Sequence, residues 1–544
     1  EFGNTNTESK RRLVLQMMQK PTFVLGFPPA IIWVPAVLTA LVMILPLGYL
    51  VWRTTGSGPD AVDLLMRGKT VAIVIRSVAL IVTVTLGSII ISVPIAWLTT
   101  RTDLPYKRLW EILTILPLVV PSYVGGFLVV IALGPKGMLQ EFLYDLFGVG
   151  RLPEIYGFSG AALTLTFLSY PYVLLTVRGA LMRLDPSLEE TSRSLGRGQW
   201  TTFWRITVPL LRPSIAAGSL LVALYTLSDF GAVSILKYET FTWAIYTQYE
   251  SVFGRHLASM LSLVLVGVAL VILLGEQKMR GKQKYYRSGV VVSRPLSVVR
   301  LGRWRGAALS FCGGIVMTAL GVPMLILAYW AIRGVAAGEP LTLLWSATWN
   351  SIYVSMFAAI VSVSLALPLA GLVVRHGGRL SALVEKLTFV GFALPGIVVA
   401  LALVFLGINV VINIYQTLIL LVFGYVMLFL PAALNPLRTS LLQVSPRLEE
   451  VARSLGKRPL TVMTTITIPL LWPSLIAGSA LVFLLTMKEL PVTLILSPPG
   501  FTTLATSIWA AASEAFFARA ALASLLLILV TAFPLIWFLR KGDQ

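Results

Sequence analysis

Two acidic residues near the ends of apolar runs could interact with a cation. Asp229 ends a run that begins near Pro209, and Glu489 ends the run 469–487. Charged groups within or at the end of a membrane-spanning run are costly and therefore point to function. Carboxylate oxygens are preferred ligands of hard cations. The alternative is that each carboxylate meets water or caps the next segment, and the sequence leaves both interpretations open.

Other reactive side chains form no catalytic set. His256 and His376 are the only histidines and Cys312 is the only cysteine, which rules out an intramolecular disulfide. The segment 68–70 (Gly-Lys-Thr) is similar to the end of a phosphate-binding loop, but Asp63 stands where that loop requires a glycine. No nucleophile and base occur together in the apolar runs. We therefore expect no catalytic residue and no ATP hydrolysis by this chain itself.

The composition is that of a polytopic membrane protein. Of the 544 residues, 57% are hydrophobic and only 12% are charged, too few to solvate a water-soluble fold of this length. About twelve apolar runs are long enough to cross a bilayer as helices. The formal net charge of +20 is spread through short loops, a pattern that reports membrane topology and does not predict nucleic-acid binding.

The elements that carry Asp229 and Glu489 belong to an internal duplication. Residues 184–218 align without a gap to residues 444–478, with 18 identities in 35 positions. The two acidic residues are equivalent at the same offset of 260. Further matches, at a constant offset of 274, pair Ser77 with Ser351, Pro94 with Pro368, Arg101 with Arg375, Glu111 with Glu385 and Pro121 with Pro395.

Each half is predicted to contain six membrane-spanning helices. The runs of the first half lie at about 30–52, 72–99, 112–133, 160–177, 209–228 and 257–275, and those of the second at about 307–332, 348–374, 386–407, 411–433, 469–487 and 515–539. Because six crossings return the chain to the same side, the halves have the same orientation and are parallel repeats. The predicted fold class is therefore an all-α polytopic membrane protein with about 12 transmembrane helices in two parallel six-helix repeats.

Basic residues set the predicted orientation and domain boundaries. Lys and Arg before the first run and in the loops after the second run favour a cytoplasmic location for these segments and for both termini. The linker 276–306 holds nine Lys or Arg against one Glu and should lie at the anionic inner surface of the membrane. The predicted parts are a basic cytoplasmic tail (1–29), a first domain (30–275), this linker (276–306), a second domain (307–540) and a cytoplasmic tail (541–544).

The duplicated stretch predicts a short helix that ends at a glycine. Each copy begins with an N-cap residue and a proline, has two glutamates in its first turns, and reaches glycine after about ten residues. The first copy has Asp185, Pro186, Glu189, Glu190, Arg193 and Gly196, and the second has Ser445, Pro446, Glu449, Glu450, Arg453 and Gly456. The spacing predicts ion pairs between Glu189 and Arg193 and between Glu449 and Arg453. A second helical segment should follow, with the next span starting at Pro209 or Pro469.

This motif resembles the EAA signature of ABC-importer permeases. The pattern of glutamate, glycine, isoleucine and proline is carried by Glu190, Gly196, Ile206 and Pro209 in one copy and by Glu450, Gly456, Ile466 and Pro469 in the other. The chain departs from the signature at its alanines, which are Thr191 and Ser192 in the first copy, with Val451 for the first alanine in the second. The resemblance implies a type I importer-like fold in which each motif forms a coupling helix that docks on an ATP-binding subunit.

The chain most resembles a fused pair of permease domains of the iron(III) importer type. The segments that carry this resemblance are 227–233, 238–242, 488–491 and 498–501. It implies a bacterial inner-membrane protein that works with two copies of an ABC ATPase subunit, which would bind ATP and Mg, and with a periplasmic substrate-binding protein. It also implies iron(III) as the substrate, for which the oxygens of Asp229, Glu489 and Tyr225 would be suitable. No cofactor and no firm metal site are expected in this chain.

Two alternatives stay open at this point. Another small substrate, such as thiamine, a polyamine or a phosphonate, would suit a permease of the same architecture. A secondary transporter with twelve spans and parallel halves would have the same span count and basic linker, but its usual loop signature after the second span matches residues 101–106 and 375–378 poorly.

Overall fold

The computed structural model describes residues 30–55, 68–184, 186–251, 255–280, 298–340 and 342–541. In these ranges the chain is helical, and its extended segments pair only in an isolated bridge between Thr102 and Val299. The predicted all-α polytopic fold is therefore confirmed. The tail 1–29, Asp185, the linker residues 281–297 and residues 542–544 lie outside the described residues.

The described helices of the first half follow the predicted runs. They are α1 (Ala30–Thr55), α2 (Gly68–Arg101), α3 (Lys107–Leu113), α4 (Ser122–Leu133), α5 (Met138–Phe147), α6 (Phe158–Arg183), α7 (Pro186–Ser194), α8 (Gln199–Thr202), α9 (Val208–Ser228), α10 (Gly231–Ile235), α11 (Phe241–Glu250) and α12 (Arg255–Arg280). Apolar residues dominate the long members of this series, as spanning helices require.

The second half repeats this order, and its first span is divided into two helices. Its helices are α13 (Arg305–Val316), α14 (Val322–Ala336), α15 (Thr342–Arg375), α16 (Arg379–Ala393), α17 (Gly396–Asn409), α18 (Leu418–Gln443), α19 (Pro446–Ser454), α20 (Pro459–Val462), α21 (Ile468–Met487), α22 (Pro491–Leu496), α23 (Leu504–Ser513) and α24 (Phe517–Lys541). A π-helical turn, Met317–Gly321, joins α13 to α14 into one span.

Ten helical stretches in the described part of the chain are long and apolar enough to cross a membrane. They account for all but two of the predicted runs. The remaining two, at about 386–407 and 515–539, coincide with the shorter apolar helices Gly396–Asn409 and Phe517–Ala532. The order of the predicted runs therefore agrees with the described helices, ten of which are long and apolar enough to cross a membrane.

The third and ninth spans differ from the prediction because each is broken at a proline. Pro121 and Pro395, which are equivalent in the two halves, both have extended backbone angles and precede the first residue of α4 and α17. Proline lacks an N–H and disfavours helical angles in the residue before it, which favours a break here, although Pro94 and Pro368 lie within the continuous helices α2 and α15. In the first half, two carbonyls of the break are satisfied by Tyr170, which donates to Thr114 O (2.8 Å), and Lys488, which donates to Leu118 O (2.9 Å).

The described chain separates into two compact units that do not follow the two halves. One unit comprises the described part of Glu1–Leu45 with Ala359–Gly391 and Phe429–Val482, and a Cβ on its Gly478 would come within 3.2 Å of Ala433 O. The other comprises Pro46–Ala358, Phe392–Leu428 and Phe483–Gln544 in their described parts. In this second unit the equivalent glycine, Gly218, is closer still to α6, because a Cβ there would come within 2.7 Å of Val173 Cα. Each unit thus has a glycine where two of its helices approach closely. The predicted domain boundaries stay a prediction.

The end of the linker is bound to the loop that follows α2. Val299 N donates to Arg101 O (2.8 Å), and Asp103 N donates to Val299 O (3.1 Å). The Asp103 carboxylate accepts a hydrogen bond from Leu301 N (2.8 Å) and pairs with Arg305 (3.0 Å). The backbone donor at Leu301, together with the Arg305 guanidinium, lowers the pKa of Asp103. The carboxylate is therefore ionised at neutral pH.

Candidate coupling and substrate-pathway sites

Both short helices end at their glycine in the same way. Gly196 and Gly456 have a φ of +79°, a left-handed conformation that glycine adopts without strain. The backbone then closes with the long hydrogen bond of a Schellman cap. These bonds run from Arg197 N to Ser192 O (3.2 Å) and from Lys457 N to Ala452 O (3.1 Å). The glycines therefore set a sharp corner after α7 and α19.

The starts of the two helices agree only in part with the prediction. Pro446 occupies the first turn of α19 and Ser445 flanks it with an extended backbone, but the Ser445 side chain makes no capping hydrogen bond. Asp185 lies outside the described residues. The side chain of Arg193 is also outside them, so the predicted pair with Glu189 stays a prediction.

The segment after each glycine corner is continuous with the next span. In the first copy α8 passes through a π-helical turn, Phe203–Thr207, into α9, and in the second copy α20 passes through Met463–Thr467 into α21. The α-helical parts of the next spans begin at Val208 and Ile468, one residue before the predicted Pro209 and Pro469, but the π turn joins each of them to the preceding helix without a break. A π turn directly precedes each proline, and its wider spacing accommodates a residue that cannot donate a backbone bond.

The two glutamates of each copy have different environments. Glu190 and Glu450 are exposed. Glu189 is buried and accepts a hydrogen bond from Thr207 (2.9 Å), and the equivalent Glu449 accepts one from Thr467 (3.3 Å). Only the second glutamate of each pair is therefore accessible to a partner protein, whereas the first binds within the chain.

Glu449 pairs with an arginine that the spacing rule did not indicate. Its carboxylate lies 3.1 Å from Arg375 Nη2, at the end of α15, and the predicted pair with Arg453 is wrong. A long-range partner replaced the local one because α19 turns Glu449 towards α15. The only sequence signal was that Arg101 and Arg375 are equivalent in the repeat. Burial lowers the pKa of the neighbouring His376, so this imidazole is neutral at pH 7 and adds no second cation.

Each corner also exposes leucines that a soluble surface would avoid. Leu195 and Leu455, directly before the two glycines, are 75% and 76% exposed, and Leu188 and Leu448 are about half exposed. Adjacent exposed apolar side chains are typical of a protein-binding surface. The copies differ beyond the corner, where Trp204 is exposed in the first copy and Thr464 in the second.

Asp229 and Glu489 cap the short helices that follow them. Asp229 follows α9, is buried, and accepts hydrogen bonds from Ala232 N (3.0 Å) and Val233 N (3.4 Å) of α10. Glu489 accepts one from Val492 N of α22 (3.3 Å). The capping alternative raised from the sequence is therefore correct for both residues, and their carboxyl oxygens lie at the N-terminal end of a helix.

The breaks in the third and ninth spans reach the same two carboxylates. The Ser122 hydroxyl, at the start of α4, lies close to both Asp229 and Tyr225. At the equivalent start of α17, a Cβ on Gly396 would come within 2.6 Å of Glu489 Oε1. Broken helices that place their N-termini near charged groups are typical of transporter substrate pathways. Among the described residues, no group of three or more His, Cys, Asp or Glu side chains could hold a metal ion.

This architecture of two repeats, each with a broken helix and a corner that ends at a glycine, defines a class of transport protein. The chain matches the family of binding-protein-dependent transport system inner membrane components over residues 88–275 and again over residues 360–540. It therefore belongs to this family and is a multi-pass protein of the inner membrane. Family membership sets aside the secondary-transporter alternative.

Individual relatives match over most of the chain or over about a third of it. The Fe(3+)-transport system permease protein FbpB 2 of Haemophilus influenzae is 36% identical over 94% of this chain and 98% of its own length. The ferric transport system permease protein FbpB of Actinobacillus pleuropneumoniae is 28% identical over 78% of this chain and 66% of its own. The molybdenum transport system permease protein ModB of Escherichia coli K12 is 36% identical over 33% of this chain and 80% of its own.

Proposed function

We propose that this chain is the permease subunit of an ATP-driven importer that moves iron(III) from a periplasmic binding protein into the cytoplasm. The substrate assignment is supported by the similarity to an Fe(3+)-transport permease over 94% of the chain. Iron would be the transported substrate and not a resident cofactor. Both termini would be cytoplasmic, and the domains would follow the boundaries 30–275 and 307–540.

The duplicated glycine corner is the observation that carries the coupling function. Each corner presents an exposed glutamate and exposed leucines on a helix whose end is fixed by a left-handed glycine. Apolar side chains beside a charge form the kind of surface that a partner protein binds. Two such corners would dock two copies of an ABC ATPase subunit, which would bind ATP and Mg. Closure of the ATPase dimer would then move both corners and open the pathway outwards.

Asp229, Glu489 and Tyr225 are proposed to line the substrate pathway. The carboxylates use their oxygens as helix caps, so they would attract a cation by charge without forming a ready-made ligand set. Molybdenum is the second candidate substrate, because about a third of the chain resembles a molybdenum transport system permease protein. Two carboxylates at equivalent positions favour the iron(III) cation.

The coupling function is tested by the composition and activity of the purified complex. We expect the isolated chain to hydrolyse no ATP, and the complex with its ATPase to contain two ATPase copies per chain by native mass spectrometry. ATP hydrolysis by the isolated chain, or a stable active complex with a single ATPase copy, would refute this role.

A further inference from the structure

Each half has two combinations of an arginine and a glutamate at repeat-equivalent positions, and one of these combinations forms an ion pair in both halves. The first kind joins Glu111 to Arg178 (2.7 Å) in the first half and Glu385 to Arg438 (2.5 Å) in the second. These residues are equivalent at the repeat offsets of 274 and 260. This pair is formed in both halves. The two repeats can therefore form the same ion pair at equivalent positions.

The second kind is closed in the second half. Arg375 donates to Glu449 Oε1 from Nη2 (3.1 Å) and from Nε (3.3 Å), and its Nη2 also donates to Val444 O (3.0 Å). Val444 lies between α18 and α19. The guanidinium therefore fixes the start of the coupling helix to the end of α15.

In the first half Arg101 donates to the equivalent backbone carbonyl, and no further hydrogen bond of its guanidinium is found among the described residues. Arg101 Nη2 donates to Leu184 O (3.3 Å), which is the equivalent of Val444 O. Arg101 is only 1% exposed, yet its Nε and Nη1 have no hydrogen-bond partner within the described ranges. A buried guanidinium with two unsatisfied nitrogens is costly and would gain from a carboxylate.

We infer that Arg101 with Glu189, and Arg375 with Glu449, form a latch with two states, open in the first half and closed in the second. The arginines are positioning residues, and the inference rests on the proposed role of α7 and α19 as coupling helices. The shared carbonyl contact shows that both arginines are held at the same place, so closing would bring the Glu189 carboxylate to the Arg101 guanidinium. The formed Glu111–Arg178 pair of the same half argues against a general mismatch between the repeats.

The latch connects three elements that must move together during transport. Glu189 and Glu449 also accept a hydrogen bond from Thr207 or Thr467, at the last residue of the π turn before the next span. A closed latch therefore ties the coupling helix both to the end of α2 or α15 and to the start of α9 or α21. Opening and closing it would transmit movement of the ATPase subunits to the spans.

A double-mutant cycle in each half tests the latch. The near-isosteric variants are Arg101→Lys and Glu189→Gln with their double variant, and Arg375→Lys and Glu449→Gln with theirs. Lysine cannot bridge a carbonyl and a carboxylate as arginine does, and glutamine removes the charge. The cycles are measured in vesicles that contain the complex with its ATPase. We expect each single variant to lower iron(III) uptake per ATP hydrolysed about tenfold. Each double variant should show no greater loss than the more damaging of its two single variants.

The control cycle uses Glu111→Gln and Arg178→Lys, which should leave uptake per ATP close to that of the unmodified complex. Additive effects in the first half would overturn the two-state latch, as would unchanged coupling in either half. Loss of membrane insertion or of ATPase association would make these residues structural and would also overturn it. If the unmodified complex hydrolyses ATP but takes up no iron, the substrate proposal fails, and the cycles are then scored by stimulation of ATP hydrolysis by the binding protein.

Discussion

Gly396 packs directly against the Glu489 carboxylate, where a Cβ would come within 2.6 Å of Oε1. At the equivalent positions of the first half, Ser122 lies beside Asp229. The second half thus combines the longer acid with the smaller residue, and the first half combines the shorter acid with a hydroxyl. The two combinations fill the same place at the start of a broken helix.

Replacing Gly396 by alanine should displace Glu489 and weaken its bond to Val492 N. The lost hydrogen bond corresponds to about 1 kcal/mol, and we expect a several-fold decrease in iron(III) uptake. The double variant Gly396→Ser with Glu489→Asp reproduces the Ser122–Asp229 combination and should recover most of the uptake. Gly267→Ala is the control, because that helical glycine has open space around its Cα. Failure of the double variant to exceed Gly396→Ala would contradict the equivalence of the two sites.

The coupling corners should depend on the left-handed glycines. Alanine at Gly196 or Gly456 must adopt a φ of +79°, which costs about 1–2 kcal/mol at each position. We expect the Gly196→Ala/Gly456→Ala variant to bind its ATPase more weakly, and the matching double substitution by bulky residues to abolish uptake and ATPase association while membrane insertion persists. Gly198→Ala, in open space without a positive φ, should behave as the unmodified chain. Undiminished complex formation by the bulky double variant would count against docking.

The exposed leucines should contribute directly to ATPase binding. Truncating Leu195 and Leu455 to alanine removes apolar contact at both corners, and we expect at least a tenfold loss of affinity, or about 1.4 kcal/mol. The measurement is titration of the reconstituted permease with purified ATPase subunit. Leu325→Ala, at a 60% exposed position within a span, is the control. If the unmodified chain, the Leu195→Ala/Leu455→Ala variant and the Leu325→Ala control bound the ATPase subunit with equal affinity, the corners would not dock by these leucines.

Asp103 should hold the end of the linker at neutral pH. Its pKa is lowered in the folded protein, so the stabilisation is fully present above the ordinary aspartate range and is lost only as the pH falls through the lowered value. We expect Asp103→Asn to lower the protection factors of the Val299 and Leu301 amides against hydrogen exchange at pH 7, whereas the protection factors of the unmodified protein should not change between pH 6 and 8. Asp145→Asn serves as the control. Equal exchange in Asp103→Asn and the unmodified protein would show that this contact does not order the linker.

The sequence predicted the fold well because its signals are local. Apolar runs long enough to span a bilayer located the spans, and the repeated glycines placed both corners, since a left-handed helix end has few alternatives. The prolines at 121 and 395 were visible in the sequence as a repeated pair. Their effect was missed because apolar composition alone does not distinguish a continuous helix from one broken at a proline.

The site was predicted less completely because its contacts are long-range. The rule for residues four apart assigned Glu449 to Arg453, whereas tertiary packing gave it to Arg375, 74 residues away. Lys488 likewise satisfies a carbonyl 370 residues away, which no local pattern could indicate. The different exposure of Glu189 and Glu190 follows from the direction in which α7 packs. Equivalence within the repeat was the one sequence signal that pointed to these residues.

ATP-driven uptake by the reconstituted complex tests the central proposal most directly. Vesicles containing this chain and its ATPase are supplied with the periplasmic binding protein and radioactive iron(III), with thiamine, a polyamine, a phosphonate and molybdate offered in parallel. We predict that iron(III) accumulates only with ATP and that none of the other compounds is taken up. Transport of one of those compounds in place of iron(III) would contradict the account.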